Sequence, residues 1–94
     1  MIVRWTASAL ADLISIENYQ RLHWPESRAT FDRRLTAIER RIAEFPQSAP
    51  EVTQRSGVRV VAFIDLPDRL FYTVESDAIY VLAIRHASRQ SLFE

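Results

Sequence analysis

No cysteine and no lysine occur among the 94 residues, glycine occurs once, and the formal charge sums to zero. Without cysteine there is neither a disulfide framework nor a thiolate metal site. Thiol redox chemistry is excluded, and the chain reads as cytoplasmic. One glycine, Gly57, cannot build a phosphate-cradling loop. A net charge of zero means that a sequence-independent grip on nucleic acid would have to come from a local patch and not from the field of the whole molecule. Direct, sequence-specific DNA binding by the chain alone is not expected. No run approaches the ~20 apolar residues of a membrane span. The opening MIVRWTASALADL, charged at Arg4 and Asp12, lacks the unbroken apolar stretch of an export signal. The histidines, His23 and His86, are far apart and have no metal-site spacing, and no serine sits in a nucleophile elbow. No metal and no cofactor are expected.

What is present is ordinary globular material, 48% hydrophobic and 26% charged. Residues 1–94 read as a single domain whose core buries roughly 60 to 65% of the unfolded surface. Every basic residue is arginine, twelve in all. Arginine favours planar, bidentate contacts to phosphate or carboxylate, but codon bias in a GC-rich genome explains the choice more simply, so it carries no argument alone.

Ile2 to Trp5 make a short strand candidate, and Thr6 follows as an N-cap for a helix starting near Ala7. Ala9, Leu13, Ile16 and Tyr19 recur at helical spacing with Leu10 and Ile14 beside them, which predicts one buried face. Pro25 interrupts this pattern and suits the first turn of a second helix. There, Phe31, Leu35, Ile38, Ile42 and Phe45 form a seam before Pro46 ends it. A short connection between two amphipathic helices predicts an antiparallel helical hairpin.

Residues 47 to 57 have no periodicity and read as a loop. Three strands follow. Val58, Val60, Ala62 and Ile64 share one side of the first, Leu70, Tyr72 and Val74 one side of the second, and Ile79 to Ile84 is apolar on both sides and therefore central. Leu66 to Asp68 and Ser76-Asp77 are the expected turns. The fold class is α+β: an N-terminal strand, a helical hairpin, then a three-stranded antiparallel meander packed on the hairpin with its other face partly open. Arg59 and Arg85 are expected to flank that open face.

The last strand ends on Arg85, His86 and, shortly after, Arg89. Metal-free RNA cleavage needs a base, a cation near phosphorus and an acid. His86 could be base or acid, and Arg59, Arg85 and Arg89 could hold the phosphate. A second proton-transfer partner is missing, since lysine is absent and Tyr72 and Tyr80 lie within strands. Taken singly, the arginines read as solvated or salt-bridged and His86 as a rim residue bonded to backbone. His23-Trp24 reads as packing at the hairpin tip, or as a contact anchor if Trp24 is exposed.

The order and spacing of these segments resemble the RelE/ParE superfamily of small bacterial toxins. VRWTASALADLISIENY is similar to the family's first strand and its Ala-x-x-Asp-Leu-x-x-Ile-x-x-Tyr helix, carried by Ala9, Asp12, Leu13, Ile16 and Tyr19. AIERRIAEFP is similar to the end of its second helix, although Pro46 here follows Phe45 directly. The closing strand resembles its Tyr-x-Val, turn and His-x-x-Arg pattern, filled by Tyr72, Val74, His86 and Arg89.

The resemblance implies two branches: RelE-like ribosome-dependent messenger ribonucleases, and ParE-like toxins that bind DNA gyrase. The chain departs from the ribonuclease pattern by having no lysine and no tyrosine after His86, and its long hairpin leans toward ParE. The expectation is a growth-inhibiting, plasmid-stabilising toxin that binds gyrase through Arg59, Arg85, His86 and Arg89 and is held inactive by a ParD-like antitoxin. The alternatives are the ribonuclease, with the same four residues as its catalytic set, and an inactive binding protein on the toxin fold.

Overall fold

The computed structural model describes residues 1–86. Arg89 lies outside the described residues. The elements are β1 (Val3–Trp5), α1 (Ala7–His23), a 3-10 turn (Pro25–Ser27), α2 (Arg28–Glu44), β2 (Val58–Ala62), β3 (Asp68–Val74) and β4 (Ile79–His86). This is the order the periodicities predict. The strands form one four-stranded sheet, β1-β4-β3-β2, in which β1 runs parallel to β4 and the other neighbours are antiparallel. The apolar last strand is therefore interior, as its lack of a polar side requires. Among the described residues no helix is long and apolar enough to cross a membrane.

Thr6 joins the first two elements to the sheet. Its Oγ1 accepts the Ala9 N–H at 3.1 Å, capping α1, and donates to the Val81 carbonyl at 3.0 Å. Its own N–H also reaches Val81 O, at 3.1 Å. Thr6 thus ends β1, starts α1 and pins both to the middle of β4. Pro25 opens the 3-10 turn that links the helices, where its missing N–H costs nothing.

The core lies between the helices and one face of the sheet. Phe31, Leu35, Ile38 and Ile42 of α2 meet Leu70, Tyr72, Ile79, Val81 and Ile84, and the rings of Phe31 and Phe63 stack with centroids 5.0 Å apart. The predicted seam stops one step early. Phe45 is 54% exposed, because it sits at the C-cap with non-helical backbone and leaves the helical screw. α1 contributes Ala9, Leu13 and Ile16 to the core, whereas Leu10, Ile14 and Tyr19 are exposed. The helix is apolar on more than one side, and its buried side carries a polar residue, Gln20.

Two further expectations are corrected. Ile64 is not in β2: the strand ends at Ala62, and the turn runs from Phe63 to Pro67 with Phe63 N–H bonded to Asp68 O at 2.9 Å. Asp65 sits there at φ 63°, a left-handed conformation that Asp tolerates better than most residues, and is held by Arg34 of α2 at 3.0 Å. The Ser76-Asp77 turn forms where predicted, closed by Glu75 N–H to Ala78 O at 2.9 Å.

The register contains one irregularity that sequence reading did not find. Phe71 pairs with Ala83 but Tyr72 pairs with Val81, so Leu82 is an extra residue in β4. From this bulge onward the parity of β4 is reversed: Ile79, Val81 and Ile84 belong to the helix-side core, while Ala83 joins Val58 and Phe71 in a second, smaller cluster on the other face.

Candidate functional site

The bulge decides where the basic end of β4 points. Counted from Val81 without it, Arg85 would face the helices and His86 the opposite side. With Leu82 inserted, Arg85 aligns with Arg69 on the Phe71 side, and His86 aligns with Asp68 on the side covered by α1. Two residues adjacent in sequence serve two different surfaces.

Arg85 does not extend toward solvent. Its guanidinium binds Asp12 of α1, whose Oδ2 also accepts the Ile84 N–H at 3.1 Å. Beyond Val81 the edge of β4 is no longer paired by β1, and α1 crosses it there, so Asp12 replaces the missing strand as acceptor. Arg69, across from Arg85, has its Cζ 5.9 Å from the Phe71 ring centroid. Neutralisation of Arg85 by Asp12 is what lets two arginines occupy facing positions.

Arg59 shares the helix-side face with His86 but stands on β2, two strands away. It aligns with Tyr72, which puts it on the helix side of β2, not on the open face expected for it. Its Nη1 donates to the carbonyls of Ala49 (2.5 Å) and Gln47 (3.3 Å), and Glu51 lies 3.6 Å from Nη2. Tyr72 closes the same corner by donating its hydroxyl to Pro46 O at 2.8 Å, and burial raises its pKa above the ordinary tyrosine value. Arg59 and Tyr72 therefore fasten the 46–51 loop to the sheet. Two strand spacings and about four residues of rise separate Arg59 from Arg85 by roughly 15 Å, on opposite faces.

His86 lines a cleft of about 130 Å³ with Ser15, Ile16, Tyr19 and Gln20 of α1, Trp24, Pro67 and the buried Asp68. A larger groove of about 380 Å³ lies along the other flank, between Ile38, Arg41 and Ile42 of α2 and Val60 to Ala62 of β2. It meets a shallow apolar basin of about 590 Å³ at Arg41 and Ser48, where Met1, Phe45 and Val74 are exposed or half-buried. Pro50 to Val52 pair with β2 through Val52 N–H to Val58 O (2.8 Å) and Val60 N–H to Pro50 O (3.1 Å). That pairing covers the strand edge up to Val60 and leaves Ala62 beyond it.

Sequence reading missed Arg69 and Asp12 as the anchor of Arg85. Asp12 carried a signal, as the acidic position of the first-helix motif. Arg69 carried none, because its place depends on strand register.

A strand, a helix pair on one face of a four-stranded sheet, and a groove between the second helix and an edge strand define a small α+β toxin fold. The family model described as "ParE toxin of type II toxin-antitoxin system, parDE" matches residues 3–91, and the chain belongs to that family. Among solved structures, a chain of the chromosomal ParDE toxin–antitoxin system from P. aeruginosa superposes with a TM-score of 0.75. It is 24% identical, and the match covers 94% of this chain and 97% of that one. No curated protein matches.

Proposed function

We propose that this toxin acts in the cytoplasm by binding DNA gyrase and holding a gyrase–DNA cleavage complex, with no bond broken by the toxin itself, and that a ParD-like antitoxin neutralises it. One observation carries the choice of a binding mode over cleavage. Arg59 is locked to carbonyls on the helix side, Arg85 is neutralised by Asp12 on the far side, and His86 faces α1. These three supposed members of a ribonuclease set do not converge on one phosphate, and convergence within about 3 Å of the reacting atoms is what such chemistry requires.

The groove between α2 and β2 supports the antitoxin part of the reading. Ile38 and Ile42 offer apolar depth, the strand edge past Val60 offers backbone polar groups, and Arg41 and Arg69 line the groove as cations. A segment that inserts apolar side chains, adds to the strand edge and carries carboxylates at its flanks fits all three features. Ordering of that segment on contact is consistent with tight but releasable neutralisation.

The test is a supercoiling reaction with purified gyrase and toxin and no ribosomes. Inhibition is expected, with linear DNA trapped on denaturation and relief by the antitoxin. Untouched gyrase together with cut messages in a translation reaction would assign the ribonuclease activity instead. His86→Ala separates the two again: a lost acid–base group costs about 10²-fold or more in turnover, whereas gyrase inhibition is expected to survive.

A further inference from the structure

The second helix carries a repeat that the core explains only in part. Asp32-Arg33-Arg34-Leu35 and Glu39-Arg40-Arg41-Ile42 follow one another at a spacing of seven, each an acid, two arginines and a core residue. Leu35 and Ile42 are buried against the sheet. The acids are engaged away from the arginine doublets: Asp32 pairs with Arg28 at 3.1 Å, and Glu39 accepts the Trp5 indole N–H at 3.2 Å. Arg34 is tied to Asp65. Arg33, Arg40 and Arg41 are exposed and form no ion pair among the described residues. Nor do Glu26 and Glu44, the exposed carboxylates at the two ends of this face. Like charges held along one face repel one another, and the fold pairs none of these three.

We infer that this face of α2 is a contact surface for the phosphate backbone of duplex DNA. Helical geometry places Thr30, Ala37 and Glu44 in a row, with Arg33 and Arg40 on one side of it and Arg34 and Arg41 on the other. Two turns separate the doublets by ~10.5 Å along the axis, which lies between the ~6 Å and ~12 Å widths of the two duplex grooves. Guanidinium groups at that spacing on a rigid rod suit the phosphates that border a groove, which they bind in a planar, bidentate way. A duplex is favoured over a single strand because the row between the arginines holds no aromatic ring on which an unpaired base would stack. Thr30 and Ala37 are too short to reach base edges, so the contact is with the backbone and independent of sequence. A chain of zero net charge needs a local patch of this kind to hold nucleic acid at all. Arg41 also borders the α2–β2 groove, whereas Arg33 and Arg40 stand outside its lining. The surface does not depend on the choice of target.

The experiment is a fluorescence-anisotropy titration of a labelled duplex with the full-length toxin at several salt concentrations. Saturable binding with a Kd of about 10⁻⁴ to 10⁻⁶ M is expected, and log K should fall against log salt with a slope of about −2.7, the value for three phosphates. A duplex of different sequence is expected to bind equally well. Arg33→Gln, Arg40→Gln and Arg41→Gln are each expected to reduce the slope by about 1, and the triple variant to abolish binding. Glutamine forms helix about as well as arginine, so these variants fold. Glu44→Gln, which removes the acid at the end of the face, is expected to tighten binding, and Arg4→Gln, an exposed arginine on β1, to leave it unchanged. No saturable binding, binding that survives in the triple variant, or an equal loss in Arg4→Gln would overturn the surface. Tighter binding of a single strand, or of a glutamate-rich peptide of the same charge, would overturn the duplex as its occupant. The reaction contains no gyrase, so failure of this surface and failure of gyrase as the target are read separately.

Discussion

One carboxylate oxygen of Asp12 accepts both the Ile84 backbone N–H, at 3.1 Å, and the guanidinium of Arg85. The acidic position of the first-helix motif is therefore the device that closes the β4 edge where β1 stops. Arg85 is held to the fold by the same atom.

Replacing Asp12 by Ala leaves two donors without their acceptor in a half-buried place and is expected to destabilise the chain by about 2 to 3 kcal/mol. Arg85→Ala leaves the Asp12–Ile84 bond in place, so a smaller loss, about 1 kcal/mol, is expected. Urea midpoints of the two variants and of the double variant measure this. Equal losses would show that the backbone bond contributes nothing.

Phe31 and Phe45 occupied the same predicted seam but meet different surroundings. Phe31→Ala opens a cavity against Phe63 and is expected to cost about 3 to 5 kcal/mol. Phe45→Ala, at an exposed C-cap, is expected to stay within about 0.5 kcal/mol. Thermal denaturation of both distinguishes a full-length seam from the shortened one. Because Phe45 borders the apolar basin, its loss is expected to show instead as weaker antitoxin binding.

Tyr72 gives a dependence on alkaline pH. Burial raises its pKa in the folded chain above the unfolded value, while Arg59 partly opposes the shift. The native state then keeps its proton where the unfolded state has lost it. This stability contribution is complete below the ordinary tyrosine value near ~10 and is lost as pH rises through the folded value. Tyr72→Phe is expected to remove that slope and, by leaving the Pro46 carbonyl without its donor, to cost about 1 to 2 kcal/mol at neutral pH. Denaturation curves between neutral and alkaline pH check both effects.

At the opposite end of β4, the Tyr80 hydroxyl donates to Asp77 Oδ2 at 2.7 Å and lowers the pKa of that carboxyl, while the same bond raises the pKa of Tyr80. In Tyr80→Phe the Asp77 titration, followed by carbon-13 NMR of the carboxyl, is expected to move up toward the ordinary aspartate value. An unmoved titration would mean that the turn backbone, not Tyr80, sets it.

The sequence by itself determined the element order, the N-cap at Thr6, the break at Pro25, most of the α2 seam and the interior position of the last strand. Each of these is written in local spacing, capping chemistry or the polarity of a single segment. Tertiary structure alone decided what the basic residues do. Register and the Leu82 bulge sent Arg85 to one face and His86 to the other, and the return of the 46–51 loop locked Arg59 away from both residues. Such choices arise from partners dozens of residues apart, and a one-residue insertion in a ladder reverses every side chain after it while leaving the hydrophobic pattern of the strand almost unchanged.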